Sequence, residues 1–482
     1  MNRQIDICER DRLVGLLRQE AESVCGGRVD GEDCLCRFEV ECDGLVPLAW
    51  LGMQKEGVKV YWSDRDEDFA VAGAGAVEIV SDRGGAGLAE SLGDIEREVA
   101  RARGAVRYYG GMSFDAEDGD EVAWGGFGRF CFVVAKVEVC RSEGRSTTAF
   151  NVRRRADDTA GSIVDRLIAG LDEYFFHGGV SGDVSCGDGG LPAIVRRTDI
   201  PDRDQWNRMV EAAMRDMSSR GIRKVVLSRK TVIEMSEGVN GVALLARVGR
   251  QNRNTYDFYF QFDGHDSFIG CSPECLFYRN DRSIYSEAVA GTCPAGKSDE
   301  EKLHHQGRLR RSEKEQEEHG YVHDNVKSEL DRICGSAEVV DEKDIISLSN
   351  VQHLRSTFRG ELRDGVSTYD IISTLHPTAA VNGFPKEEAM ELIRRHERFS
   401  RGWYAGPVGW IGRGESRFAV AIRSARMQDN EISLFAGAGL VDASEAHKEW
   451  DETEQKLSIF LDVLGEGAQD ISELTGTERS GK

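Results

Sequence analysis

The chain has 482 residues, 40% hydrophobic and 30% charged, with a formal net charge of -22 at pH 7. This composition suits a soluble globular protein with one large core or two to three domains. It excludes the basic stripe that a nucleic-acid surface needs, and no run approaches the roughly 20 apolar residues of a membrane span.

Residues 1–25 predict a short amphipathic helix with Leu13, Leu16 and Leu17 on one face. RFEVEC, LAWLGM, VKVYW and FAVAGAGAVEIV follow as strand-like runs punctuated by Gly and Asp. SLGDIEREVARA is helical, and VRYYGGMSFD and GRFCFVVAKVEVC return to strands. The blunted alternation in the last of these predicts a strand covered on both sides. GSIVDRLIAGLDEYFF is a helix, and the Gly/Ser/Asp stretch HGGVSGDVSCGDGGLP reads as an exposed loop and a candidate boundary.

DRDQWNRMVEAAMRDMSSRGIRKVVLSRK predicts helix, Gly turn and strand. ALLARVGRQN is a helix, TYDFYFQFDGHDSFIGCSPECLFYR a hairpin, and SIYSEAVAGTCPAG a strand ending in a Gly-bearing turn. GRLRRSEKEQEEHGYVHDNVKSELDRI reads as one long charged helix, and the last helix runs from about Glu445 to Leu464. Strands outnumber helices and hairpins are frequent, which favours a mixed or antiparallel α+β fold.

The start, MNRQIDICERDRL, has no apolar run behind its few bases, so no secretory signal or transit peptide is expected. Of 12 cysteines, Cys25, Cys131, Cys140, Cys271, Cys275 and Cys334 stand in or beside apolar stretches, where a reduced thiol is a small core residue. No Cys-x-x-Cys pair occurs, and Cys34 and Cys36 match no zinc module. Reduced thiols and a cytoplasmic location are the expectation. No G-x-G-x-x-G follows a strand and no Walker A segment exists, so nucleotide cofactors are not expected.

Several residues suggest a site for a small anionic acid. Glu449, Glu452 and Lys456 share one helix face with Phe460 and Val463, and Glu318 heads the apolar stripe Val322, Val326, Leu330. Two inward carboxylates on different helices suit a hard cation such as magnesium, although each is also compatible with a solvated face or an Arg partner. Lys224 lies among valines on a strand, either at an edge with its head in water or in a closed cavity where it can act as a base. Pro273 interrupts an apolar strand and should re-aim Glu274, read either as a surface-turn acid or as a buried acid with a raised pKa. Gly291 and Thr292 in AGT, and Gly437 and Gly439 in AGAG, form small-residue turns that admit a carboxylate to backbone N–H groups. Arg423, expected in the strand AVAIRSA, needs an anion. His376 is held extended by Pro377 and serves either the ligand or the fold.

Together these blocks, with TLHPTAAVNGFP and RGWYAGPVGW, resemble the chorismate-utilising enzymes: isochorismate synthases, salicylate synthases, anthranilate synthase large subunits and aminodeoxychorismate synthases. The resemblance is strong over roughly 200–464 and weaker upstream through LVPLAWLGMQ, YYGGMSFD and WGGFGRF. It implies an α+β fold like anthranilate synthase component I: one large domain of two stacked, mostly antiparallel sheets surrounded by helices, with a cleft between them. Residues 1–190 would be its N-terminal part, 191–464 the chorismate-binding core and 465–482 a flexible tail.

The resemblance also implies Mg2+, with Glu318 and Glu452 as direct ligands and Glu449 and Glu315 acting through water. Lys224 would be the base and Glu274 the acid. Gly291, Thr292, His376, Tyr404, Arg423, Gly437, Gly439 and Lys456 would bind substrate. Aminodeoxychorismate enzymes resemble PIKGT at the AGT block, where this chain has Ala290, and anthranilate enzymes typically have glutamine at the position of Lys224. Members that add water carry the lysine, which leaves isochorismate synthase or salicylate synthase, with a non-catalytic chorismate binder as a further alternative. HPTAAVNGFP, WYAGPVGW and AIRSA look most like isochorismate synthases of the menaquinone-pathway type. The expected partner is chorismate, with no nucleic acid, membrane or glutamine amidotransferase subunit, in a monomer or homodimer.

Overall fold

The computed structural model describes residues 7–25, 33–55, 57–117, 124–176, 190–296, 298–348 and 350–465. Helix α1 (Ile7–Cys25) precedes strand β1 (Cys34–Glu41). LAWLGM, expected as a strand, is the short helix α2 (Pro47–Gly52). Pro47 sits in its first turn, where a missing N–H costs nothing, and the helix buries Trp50 and Leu51. Strands β2 (Lys59–Ser63) and β3 (Phe69–Ser81), helix α3 (Leu88–Arg101), and strands β4 (Tyr108–Met112) and β5 (Phe130–Ser142) follow the sequence reading. Strand β6 (Arg145–Arg154) folds back on β5, and polar residues hide it in the sequence. Helix α4 (Ala160–Leu171) starts with a capping box between Thr159 and Ser162. The loop expected after it falls largely on 177–189, outside the described residues, as does the expected tail beyond Gly465.

Strand β7 (Ile194–Ile200) leads to α5 (Arg203–Arg220), capped by Asp202 and ended by Gly221 at φ 70°. Next come β8 (Lys224–Met235), α6 (Gly241–Gln251), the hairpin β9 (Tyr256–Gln261) and β10 (Asp266–Ser272), β11 (Cys275–Asn280) and β12 (Ser283–Pro294). The long charged helix is in fact two, α7 (Asp299–Leu309) and α8 (Glu313–Ile333), because Ser312 caps the second on the Glu315 N–H. The chain continues through the hairpin β13 (Cys334–Ser347) and β14 (Val351–Leu362), α9 (Thr368–Leu375), β15 (Gly383–Phe384) and α10 (Lys386–His396). It finishes with β16 (Pro407–Ile411), β17 (Glu415–Val420), β18 (Ser424–Gln428), β19 (Glu431–Leu440) and α11 (Ala446–Leu464).

The strands join in one 19-stranded sheet whose neighbours pair antiparallel. The two sheets expected are two arms of it. One arm runs β1–β6–β5–β3–β2–β9–β10–β18–β19–β8–β7, and the other leaves β5 through β4 and runs β16–β17–β11–β12–β14–β13. The first 190 residues are not separate, since β2 pairs with β9 and β4 with β16.

Period-two alternation divides the core. Phe258, Phe260 and Phe268 join Phe277, Phe418 and Trp403 in one cluster shared by both arms. Their neighbours Tyr259 and Ile269 face a second cluster with α1, α2, α4, α6 and α11. Each such fully buried aromatic side chain contributes about 2–3 kcal/mol. As expected, β5 is buried on both faces from Phe130 to Ala135.

Candidate active site

At two places the chain passes directly from one arm to the other, and both lie in the site. The first is β10 to β11. Pro273 has no N–H for the ladder, so β10 stops at Ser272 and Glu274 is turned out of register. Ser272 Oγ donates to the Val420 carbonyl at 2.6 Å and accepts from the Glu274 N–H at 3.2 Å. Glu274 is buried, with Thr378 Oγ1 donating to its Oε1 at 3.4 Å. Burial pushes its carboxyl up to about 8; Lys224 opposes this and Glu287 adds to it. Glu274 therefore carries a proton at neutral pH.

The second crossing is β17 to β18. Arg423, expected mid-strand, lies between them at φ 50°, because β17 belongs to one arm and β18 to the other. A non-glycine residue in this region costs roughly 1 kcal/mol. Here its carbonyl accepts the Cys271 N–H at 3.1 Å and its buried guanidinium meets His353, Nη2 to Nε2 at 3.3 Å. A guanidinium only donates, so His353 Nε2 accepts and its Nδ1–H faces the Gly291 carbonyl at 3.3 Å and Thr292 Oγ1 at 3.1 Å. Burial and Arg423 lower His353 to about 3, leaving it neutral.

Lys224 begins β8 between β15 and the strand β19, so it is interior rather than at an edge, with 0% exposure. Its Nζ lies 3.0 Å from Glu318 Oε1. Gly439 makes room for this contact: a Cβ there would lie 2.4 Å from Glu318 Oε1 and 3.0 Å from Lys224 Cε. At Gly437 a Cβ would come within 3.2 Å of Tyr404 Oη, and Lys456 Nζ donates to the Gly437 carbonyl at 2.8 Å. Tyr404 is stacked on Phe435 and raised by burial to about 12, so it is a neutral phenol.

Gly291 stands at φ 76° where the β12–β14 register shifts, and the following Thr292 N–H donates to Glu315 Oε2 at 2.7 Å. The turn expected at Gly291 and Thr292 is a bulge inside β12, and it already receives a carboxylate, from the protein itself. His319 ties α8 to both strands, through Ala290 O at 3.3 Å and Ser356 Oγ at 2.9 Å, and so positions Glu318.

The carboxylates of α8 and α11 share this space with lysines. Lys456 pairs with Glu452 at 2.6 Å and Lys314 with Glu449 at 2.7 Å. Burial and Glu318 raise Glu315 to about 7; burial and Glu452 raise Glu449. Burial acts upward on Glu452 too, but Lys456 and then Lys314 act against it and the net shift is down. Among the described residues no three His, Cys, Asp or Glu side chains form a ready metal cage. Magnesium needs none: it takes one or two carboxylates and keeps waters and substrate oxygens. An all-oxygen donor set in which buried acids raise one another, and where Glu449 Oε2 is buried without a hydrogen-bond partner, fits such a cation.

One expected residue is placed otherwise. His376 Nε2–H donates to the Phe114 carbonyl at 3.0 Å and its ring meets Phe114 edge-on, so it joins two loops of the fold instead of the group above. Burial lowers it to about 3. Conversely, His353 and Lys314 belong to the site although no local motif marks them in the sequence. The run VQHL carries a histidine in an apolar setting, but only the register Thr292 to His353 brings it to the site.

A family profile described as "Chorismate binding enzyme" matches residues 20–465. A chloroplastic isochorismate synthase of Catharanthus roseus is 35% identical over 376 residues, covering 77% of this chain and 64% of its own. The isochorismate synthase MenF of Escherichia coli K12 is 29% identical over 430 residues, covering 88% and 91%. This chain therefore spans about two thirds of the plant relative and most of the bacterial one. The solved structure of MenF, the menaquinone-specific isochorismate synthase from Escherichia coli, superposes with a TM-score of 0.79 at 26% identity over 94% of this chain and 99% of that one.

Proposed function

The chain belongs to the chorismate-binding enzyme family, and on that premise we propose that it is an isochorismate synthase, an isomerase that interconverts chorismate and isochorismate. The observation that carries this reading is the pairing of a fully buried Lys224 with a Glu274 kept protonated at neutral pH. Water addition at one carbon with loss of hydroxide at another needs one base and one acid, each positioned by the protein.

In the forward direction Lys224 takes a proton from the water that attacks C2. Glu274 protonates the C4 hydroxyl as it leaves as water, and the ring double bonds shift. One water enters and one departs, so the reaction is balanced and its reversal exchanges the two roles. Arg423, held by His353, faces a substrate carboxylate; Tyr404, Thr292 and Lys456 bind polar groups, and Gly291, Gly437 and Gly439 let Glu315, Tyr404, Glu318 and Lys224 close round the substrate. Magnesium, held by Glu318 and Glu452 with Glu315 and Glu449 through water, would supply positive charge for a substrate carboxylate. Fixing acid, base and substrate together contributes the orientation term.

The likeness to MenF, named a menaquinone-specific isochorismate synthase, supports supply of a menaquinone pathway; a cytoplasmic location and a monomer or homodimer without an amidotransferase subunit belong to the same proposal. The test is proton NMR of chorismate incubated with the protein and magnesium, with and without EDTA. A magnesium-dependent mixture of chorismate and isochorismate without pyruvate is expected. Accumulating pyruvate and salicylate would make it a salicylate synthase, and no change would leave a chorismate binder.

A further inference from the structure

Behind Glu274 lies a buried ionic group that takes no part in the reaction above. Glu287 on β12 has a carboxylate with 0% exposure. Arg65, in the connection between β2 and β3, grips it with both terminal nitrogens, Nη1 to Oε1 at 3.0 Å and Nη2 to Oε2 at 2.5 Å. Tyr285 Oη donates to Oε1 at 2.6 Å, and Arg355 Nη1 lies 3.5 Å from it. The other oxygen, Oε2, accepts the backbone N–H of Cys275 at 3.4 Å. Cys275 is the residue directly after Glu274, at the crossing between the two arms.

A bidentate guanidinium fixes both the position and the plane of a carboxylate. Arg65 is itself held: it lies over the Tyr256 ring at 4.9 Å, and the adjacent Asp64 pairs with Arg417 on β17. Buried ion pairs are a poor way to gain stability, because desolvation offsets most of the attraction. What this one supplies is a rigid anchor one residue from the proposed acid.

We infer that Glu287, held by Arg65, is a positioning residue for the acid: it tethers the backbone beside Glu274 and keeps a fixed carboxylate behind it. Arg65 brings this contribution from the N-terminal part of the chain to the site in the C-terminal part. The inference rests on Glu274 being the proton donor. The groups that act on Glu274 are Lys224 from β8, Arg423 from the second crossing, Tyr404 ahead of β16, Thr378 after α9, and Glu287 itself. Among them Glu287 is the one that adds to burial in favouring the protonated form.

Two substitutions then act in opposite directions. Glu287→Gln removes a negative charge and moves the ionisation of Glu274 to lower pH by about one unit. Arg65→Met removes a positive charge, leaves Arg355 beside Glu287, and moves it to higher pH. Arg65→Lys keeps the charge but not the two-pronged grip, so its midpoint moves less than that of Arg65→Met. Two readouts on the full chain follow it: the alkaline limb of kcat/KM for chorismate, and the infrared carboxyl band present in wild type and absent from Glu274→Gln. Both should shift together, down in the first variant and up in the second. Unshifted midpoints, or shifts of the same sign in the two variants, would reduce Glu287 and Arg65 to structural residues. The infrared band needs no turnover, so it tests this inference even if the protein fails to convert chorismate, which would instead overturn the proposed function.

Discussion

Replacing Glu274 by glutamine removes a proton that the folded protein holds against its ordinary tendency. The carboxyl is raised from 4.5 to about 8, first by burial and then by Glu287, with Lys224 and Arg423 opposing. Between those two values the native state keeps a proton that the unfolded chain has lost, so stability falls as pH rises through this window and levels off above about 8. At 1.36 kcal/mol per pH unit the gap corresponds to about 5 kcal/mol. Glutamine does not titrate, and its carbonyl can still accept the Thr378 hydroxyl. The advantage of Glu274→Gln over wild type should therefore grow from near zero at pH 4.5 to several kcal/mol at pH 8.5, while turnover falls by about 10²-fold or more. Urea unfolding followed by tryptophan fluorescence at intervals from pH 5 to 8.5 measures the difference, in which the titrations of groups remote from Glu274 cancel. A stability difference that stays constant over this range would refute the protonated acid and with it the role assigned to Glu274.

Lys224→Gln should abolish water addition while chorismate binding, measured by calorimetry, persists; wild-type-like turnover would end its assignment as base. Glu452→Ala should raise the half-saturating magnesium concentration about tenfold or more, and an unchanged titration would remove Glu452 from the metal's ligands. Gly439→Ala places a methyl group 2.4 Å from Glu318 Oε1 and 3.0 Å from Lys224 Cε, so kcat/KM should fall about tenfold or more with the melting temperature nearly kept. Full activity of that variant would show that the close approach is not needed. His376→Gln should cost about 1 kcal/mol of stability and leave KM within about threefold; a large rise in KM with an intact fold would return His376 to the substrate.

What could be read without tertiary structure was periodic. The apolar runs of β5, β9 and β10 and the stripes of α5, α8 and α11 repeat at the spacing of the element they form, so their type was legible, whereas Gly437 and Gly439, expected in a turn, pair with Ser228 and Val226 inside the strand β19. Failures came where that signal is weak. LAWLGM is a six-residue apolar run that suits strand or helix, and burial with Pro47 in the first turn decides for helix. β13 is mostly exposed, so it carries no apolar pattern. The break between α7 and α8 depends on one serine cap.

The same division holds at the site. The sequence by itself determined which reactive groups are present and which share an element face: Glu449 with Glu452 and Lys456, Glu318 at the head of a buried stripe, Lys224 in line with Val226, Glu274 after a strand-breaking proline. These are local properties, set by periods of 3.6 and 2.0. The tertiary structure alone decided which of them meet. It put Arg423 in the left-handed region at the crossing between the arms, set His353 opposite Thr292, turned His376 onto Phe114, and joined Arg65 to Glu287 across 222 positions. It also decided protonation, because the cost of burying a charge depends on every group packed round it, and Glu274 acquires its raised value only from burial and from neighbours distant in sequence.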